Sequence, residues 1–144
     1  SLQIIGIKDR LDLPTADIKN IPCKLDTGAY NCSIHCVQVR KKKDKEGPYI
    51  EFILLDEEFE EYNGKVLTCR EFRQKKVKSS NGKAQNRYQV VLPVVLFNQT
   101  FNATFNLSKR HNMRFPILLG RKFLSKKFMV DVSKKDLSFN LKCQ

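Results

Sequence analysis

Lys24-Leu25-Asp26-Thr27-Gly28-Ala29 decides the reading of this chain, together with a distant partner, Pro116-Ile117-Leu118-Leu119-Gly120-Arg121. In the first stretch the apolar Ile21, Pro22 and Leu25 lead into three turn-forming residues, so an acid stands where an extended segment ends. In the second an apolar strand stops at a glycine. Asp, Thr and Gly form turns anywhere, so the tripeptide alone also fits any surface hairpin. Its pairing with an apolar strand that ends in glycine is the rarer feature.

Working outward, short apolar runs broken by turn residues recur at Ile4–Ile7, Ile18–Leu25, Ser33–Val39, Tyr49–Leu55, Tyr88–Phe97, Gln99–Leu107, Ile117–Leu119, Phe128–Val132 and Leu137–Leu141. Their lengths suit strands better than helices. Residues 101–107 alternate with period two, which puts Phe101, Ala103, Phe105 and Leu107 on one face of a half-buried strand. Asn98-Gln99 is placed to turn a hairpin, and Asn81-Gly82 is a second tight-turn signal. The single helix expected is short, Gly120–Lys127, with Phe123 and Leu124 beside Leu119 and a cationic C-terminal end. Arg40–Lys45 reads as a solvated loop between strands, and Asp56–Glu61 is a local acidic run. The expected fold is an all-β barrel with one short helix, built as a single domain over residues 1–144.

The 144 residues carry a formal net charge of +12 and a pI near 9.6, a field that favours encounter with polyanions or acidic peptides. No apolar run approaches the ~20 residues that a membrane-spanning helix needs. Five cysteines, an odd number without the spacing of a disulfide scaffold, fit reduced thiols in a cytoplasmic protein. The chain opens on Ser1 rather than Met, which is compatible with trimming or a removed leader.

Lys24–Ala29, Ser33-Ile34-His35, Ser79-Ser80-Asn81-Gly82 and Met113–Leu124 together resemble the bacterial retropepsin-like family often labelled ATP-dependent zinc protease. The resemblance spans the whole chain in the expected order. It implies an aspartic peptidase in which Asp26 is catalytic, Thr27 and Gly28 support its turn, Gly120 packs beside it, and Gly120 and Arg121 join the residues of a flap in binding substrate. Peptide hydrolysis by this route needs two carboxylates sharing one proton, and one chain supplies one such turn. The resemblance therefore implies a homodimer with one Asp26 from each copy. It also implies a β-hairpin flap, for which Lys76–Arg87 with Ser79, Ser80, Asn81 and Gly82 at its tip is the candidate. The same Asn-Gly step fits an ordinary exposed hairpin. Association with an ATP-grasp ligase, and a peptide or ligated protein tail as substrate, follow from the resemblance as well.

Other readings compete. Asp131, in Met129–Val132, lacks a following Thr/Ser-Gly and reads as a strand-end or capping residue. His35 between Cys32 and Cys36, with Cys69, raises a zinc-dependent hydrolase, but there is no Cys-x-x-Cys pair, so His35 reads as structural and no metal is expected. His111 reads as an exposed loop residue. No phosphate-cradling glycine motif supports ATP as a cofactor. A non-enzymatic barrel would instead present Arg40–Lys45 and Lys75–Lys83 to an acidic protein or to nucleic acid, although the nearby aromatics show no RNA-reading pattern.

Overall fold

The computed structural model describes residues 1–78, 81–110 and 114–144. Its strands are β1 (Gln3–Ile5), β2 (Lys8–Leu13), β3 (Ile18–Leu25), β4 (Cys32–Asp44), β5 (Gly47–Leu54), β6 (Val66–Cys69), β7 (Arg73–Lys78), β8 (Ala84–Leu96), β9 (Gln99–Ser108), β10 (Ile117–Leu119) and β11 (Phe128–Val130). Two short helices, α1 (Arg121–Leu124) and α2 (Leu137–Lys142), complete the elements used below.

Pairing runs β10-β3-β2-β8-β9-β4, and β4 then pairs back to β10, so six strands close on themselves. Closure leaves these strands without an open edge where they meet, and the inward side chains form the core. In β9, Ala103, Phe105 and Leu107 are buried while Asn102 is exposed. Facing them in β8, Val90, Leu92, Val94 and Leu96 are buried in turn. Full burial of one such side chain contributes about 1.5–3 kcal/mol. The expected all-β barrel is the observed fold.

β5 and β6 extend the sheet outward from β4, and β7 pairs with the first half of β8 as a separate hairpin arm. β1 and β11 form a separate small parallel sheet whose Ile5 and Phe128 pack into the core. Phe101, Phe123 and Phe128 meet with ring centroids 5.4–6.0 Å apart, which seats α1 and the start of β11 on the barrel.

Several local expectations need correction. Leu137–Leu141 is helical, because Asp9 accepts the N–H groups of Ser138 and Phe139 and so serves the donors of the first turn of α2. Arg40–Lys45 is not a loop: β4 continues to Asp44, paired with β5 and turning at Gly47, whose φ is +110°. Backbone pairing tolerates a doubly solvated ribbon when charges alternate across it, as Lys42 does with Glu51. The β8–β9 hairpin turns on Phe97-Asn98, both at positive φ, one residue earlier than expected. The helix after Gly120 is one turn, Arg121–Leu124, rather than the longer span to Lys127. Lys8–Leu13 and Val66–Cys69 are strands that the apolar-run reading passes over.

Candidate active site

β3 delivers Asp26. Its strand pairs with β10 in parallel, Leu119 opposite Leu25, and the next residue donates its N–H to the Leu119 carbonyl at 2.9 Å. The chain then turns: the N–H of Gly28 donates to Asp26 Oδ1 at 2.9 Å, and that of Ala29 to the Asp26 carbonyl at 3.3 Å. A Cβ on Gly28 would stand 3.2 Å from Asp26 Oδ1, crowding the oxygen that the turn holds. Asp26 is half-buried while Thr27 and Gly28 are exposed, so the carboxylate lies at an open surface on a firmly hydrogen-bonded backbone.

Gly120 fixes the other side. A Cβ there would fall 2.5 Å from the carbonyl oxygen of Asn31, 2.7 Å from that of Tyr30 and 2.8 Å from that of Ala29. The loop after Asp26 is therefore laid directly against this glycine. The N–H groups of Arg121 and Lys122 donate to Ala29 and Tyr30 at 2.8 and 3.0 Å, and the Gly120 N–H donates to Cys32 Sγ at 3.4 Å. Arg121 Nη1 donates to the Thr27 carbonyl at 3.0 Å, with the guanidinium 5.8 Å from the Tyr30 ring. Asp26, Thr27, Gly28, Gly120 and Arg121 thus form one unit. Among the described residues the Thr27 hydroxyl makes no hydrogen bond, so the turn is braced through its backbone by Arg121 rather than through the hydroxyl.

β10 also carries the site toward β4. Leu118 has Lys24 on one side and Ser33 on the other, so Lys24, Leu118, Ser33 and, one pleat on, Asp26 share the outer barrel face. Arg110, just after β9, reaches this face. Its Nη1 donates to Ser33 Oγ and its Nε to the Phe115 carbonyl, both at 3.3 Å. Partial burial lowers its pKa and the charge of Asp26 raises it. Beneath it His35 is fully buried, accepts the Arg110 N–H on Nδ1 at 2.7 Å, and faces Asp56 from Nε2 at 2.7 Å. Since Nδ1 accepts, the proton sits on Nε2 and is donated to Asp56.

The remaining candidates fall elsewhere. Asn81 and Gly82 lie in the turn joining β7 and β8, Gly82 at φ +82°, with Asn81 Oδ1 accepting the Lys83 N–H; Ser79, Ser80 and His111 lie outside the described residues. Asp131 Oδ1 accepts the N–H and hydroxyl of Ser133, which lower its pKa and give it a local turn role. Zinc donors do not converge: among the described residues no three of His, Cys, Asp and Glu come together to hold a metal. Cys36 donates to the Ile53 carbonyl at 3.2 Å, and burial pushes its thiol up to about 12. A cleft of about 600 Å³ lies beyond the end of β9, between residues 36–39 of β4 and 85–88 of β8, with Arg87 and Lys109 on its walls. No helix among the described residues is long and apolar enough to cross a membrane.

Sequence reasoning missed Arg110 and the pairing of His35 with Asp56. Asp56 heads the acidic run and His35 stands in Ser33-Ile34-His35, twenty-one residues earlier, so nothing local joins them.

A profile of the family described as RimB-like, retropepsin-like aspartic endopeptidase RimB, matches residues 4–139. This chain belongs to the RimB-like family. Two curated relatives, from Shewanella pealeana and Shewanella halifaxensis, are each 30% identical over 132 residues and are named probable alpha-L-glutamate ligase. A third with that name, from Desulfotalea psychrophila, is 24% identical over 131 residues. The alignments cover 90% of this chain but 28% of each relative, so the RimB-like chain spans little more than a quarter of their length. None of these names repeats the zinc-protease label. A crystal structure of a protein of unknown function from Legionella pneumophila has the same fold, with a TM-score of 0.71 and 24% identity over 96% of this chain and 99% of that one.

Proposed function

We propose that this RimB-like chain is an aspartic peptidase that works as a homodimer, with Asp26 of each copy forming the catalytic pair. The observation that carries the reading is the Asp26 turn itself: a carboxylate at an open surface, its oxygen held by the Gly28 N–H and its backbone tied to Leu119. One carboxylate takes a proton from water as the water oxygen attacks the scissile carbonyl, and the protonated partner donates to the carbonyl oxygen. The tetrahedral intermediate then collapses, the C–N bond breaks, and the amine leaves with a proton from the pair. Water and peptide give one acid and one amine.

Support for a second copy comes from an apolar face that is exposed in the protomer. Ile4 and Met129 stand opposite each other in the β1–β11 pair, 42% and 56% exposed, with Leu2 and Val132 exposed nearby. An exposed apolar patch is the kind of surface that a two-fold interface buries.

The substrate proposed is an acidic protein tail built from α-linked glutamates. The relatives' ligase name and this chain's charge of +12 support it, and they support a functional association with an ATP-grasp ligase that makes such a tail. The test is mass spectrometry of a peptide ending in several glutamates, incubated with the wild-type protein and with Asp26→Asn. Cleavage by the wild type that falls at least ~10²-fold in Asp26→Asn is expected. Undiminished cleavage by Asp26→Asn overturns the reading, and salt-sensitive binding without cleavage favours a non-enzymatic module.

A further inference from the structure

We infer that Arg110 is a specificity-determining residue that receives the carboxylate of a substrate glutamate side chain beside Asp26, and that buried His35, bonded to Asp56, is what holds it there. The inference rests on the peptidase reading above and names how that site selects its substrate.

Position comes first. Arg110 bonds to Ser33, which lies on β4, two strands across from β3 with β10 between, on the face that also carries Asp26. A side chain of the peptide that docks at Asp26 is therefore presented to this guanidinium. The second observation is that it feels the charge of Asp26 without forming an ion pair. Among the described residues no carboxylate comes within ion-pair distance of Arg110, although this cation, unlike the exposed lysines, is half-buried. The Arg110 guanidinium bonds to two neutral acceptors at 3.3 Å, a length that leaves both weak. A half-buried guanidinium with long neutral contacts is suited to exchange them for a shorter, charge-assisted bond to a carboxylate.

Rigidity is the third observation. His35 is 0% exposed, and its Nδ1 accepts the backbone N–H of Arg110 at 2.7 Å while Nε2 engages Asp56 at 2.7 Å. The His35 backbone is tied as well, its N–H to Pro116 and its carbonyl to the Leu55 N–H, both at 2.8 Å. The residue that places Arg110 therefore cannot shift without breaking bonds to three segments. His35 acts through Arg110 and is a positioning residue. Lys109, the adjacent cation, is exposed and makes no such contacts.

The test separates this inference from the peptidase reading by measuring binding apart from hydrolysis. Fluorescein-labelled tetraglutamate is titrated by anisotropy into Asp26→Asn protein, alone and combined with Arg110→Gln, Arg110→Lys or Lys109→Gln. Arg110→Gln is expected to weaken binding on the order of 10–100-fold, the range of hydrogen bonds to charged groups. Lys109→Gln removes the same unit charge and is expected to change binding less than about threefold, as a surface charge would. Arg110→Lys should fall between them, keeping the charge without the planar fork. Equal losses in Arg110→Gln and Lys109→Gln, or binding within twofold in both, overturn the inference. If Arg110→Gln does not fold, as judged by its circular dichroism, Arg110→Lys decides: binding equal to the parent overturns the inference. In the Asp26-intact protein, Arg110→Gln should raise KM for a glutamate peptide with kcat little changed, and leave the matching glutamine peptide within about threefold. Equal losses on both peptides point to a structural role and refute the assignment, while cleavage that survives Asp26→Asn refutes the peptidase reading alone.

Discussion

The backbone N–H of Asp26 donates to the carbonyl of Leu119 at 2.9 Å, and the residue after Leu119 is the glycine against which the Asp26 loop packs. The acid and the distant glycine segment are thus two halves of one backbone arrangement. Gly120→Ala places a methyl 2.5–2.8 Å from three carbonyl oxygens, and backbone on both sides leaves no flexible side chain to yield. Overpacking of this kind costs about 1–3 kcal/mol. Urea denaturation should show a lowered midpoint with an unchanged slope, and a midpoint equal to wild type would contradict the packing described.

His35→Leu tests the buried pair. It leaves Asp56 and the Arg110 N–H without the ring that serves both. Leaving a buried donor or acceptor unsatisfied costs about 1–3 kcal/mol. The same denaturation measurement reads it, and a loss below that range would mean the two groups find other partners.

Much of this was legible in the sequence, for identifiable reasons. Alternation in Phe101–Leu107 records which face of β9 is buried, and the closeness of Asp26 to Gly120 was legible only through the family resemblance that both segments carry. Leu137–Leu141 was misread because a five-residue apolar run looks the same as strand or helix, and what decides is Asp9, far away in sequence. Arg110 and Asp56 were invisible for the same reason. Their roles arise only when β4, the segment after β5 and the segment after β9 meet at His35, and no residue spacing encodes that meeting.

Asp9 gives a pH dependence. Burial raises its pKa above 3.8, against the opposing effect of the N–H groups of Ser138, Arg10 and Phe139. The folded form then holds the proton more tightly than the unfolded form. This group's contribution to stability is full below 3.8 and is lost as pH rises through the raised folded value. The stability of the wild type relative to Asp9→Asn, measured by denaturation from pH 3 upward, should decline across that window. A difference that is flat or grows with pH would contradict it.

Met129→Glu addresses the apolar face. Charge placed opposite Ile4 on both copies of a two-fold interface repels itself. Sedimentation should show wild-type dimer and variant monomer at matched concentration, with hydrolysis lost alongside. A variant that stays dimeric and active would move the interface elsewhere.

The central claim, that two copies of Asp26 make one site, is tested most directly by mixing. Wild type and Asp26→Asn are unfolded together in set ratios, refolded so that subunits pair at random, and assayed at constant total protein. If each site needs both acids, activity falls as the square of the wild-type fraction. A linear fall would mean that a single chain's Asp26 suffices, and the account would be wrong.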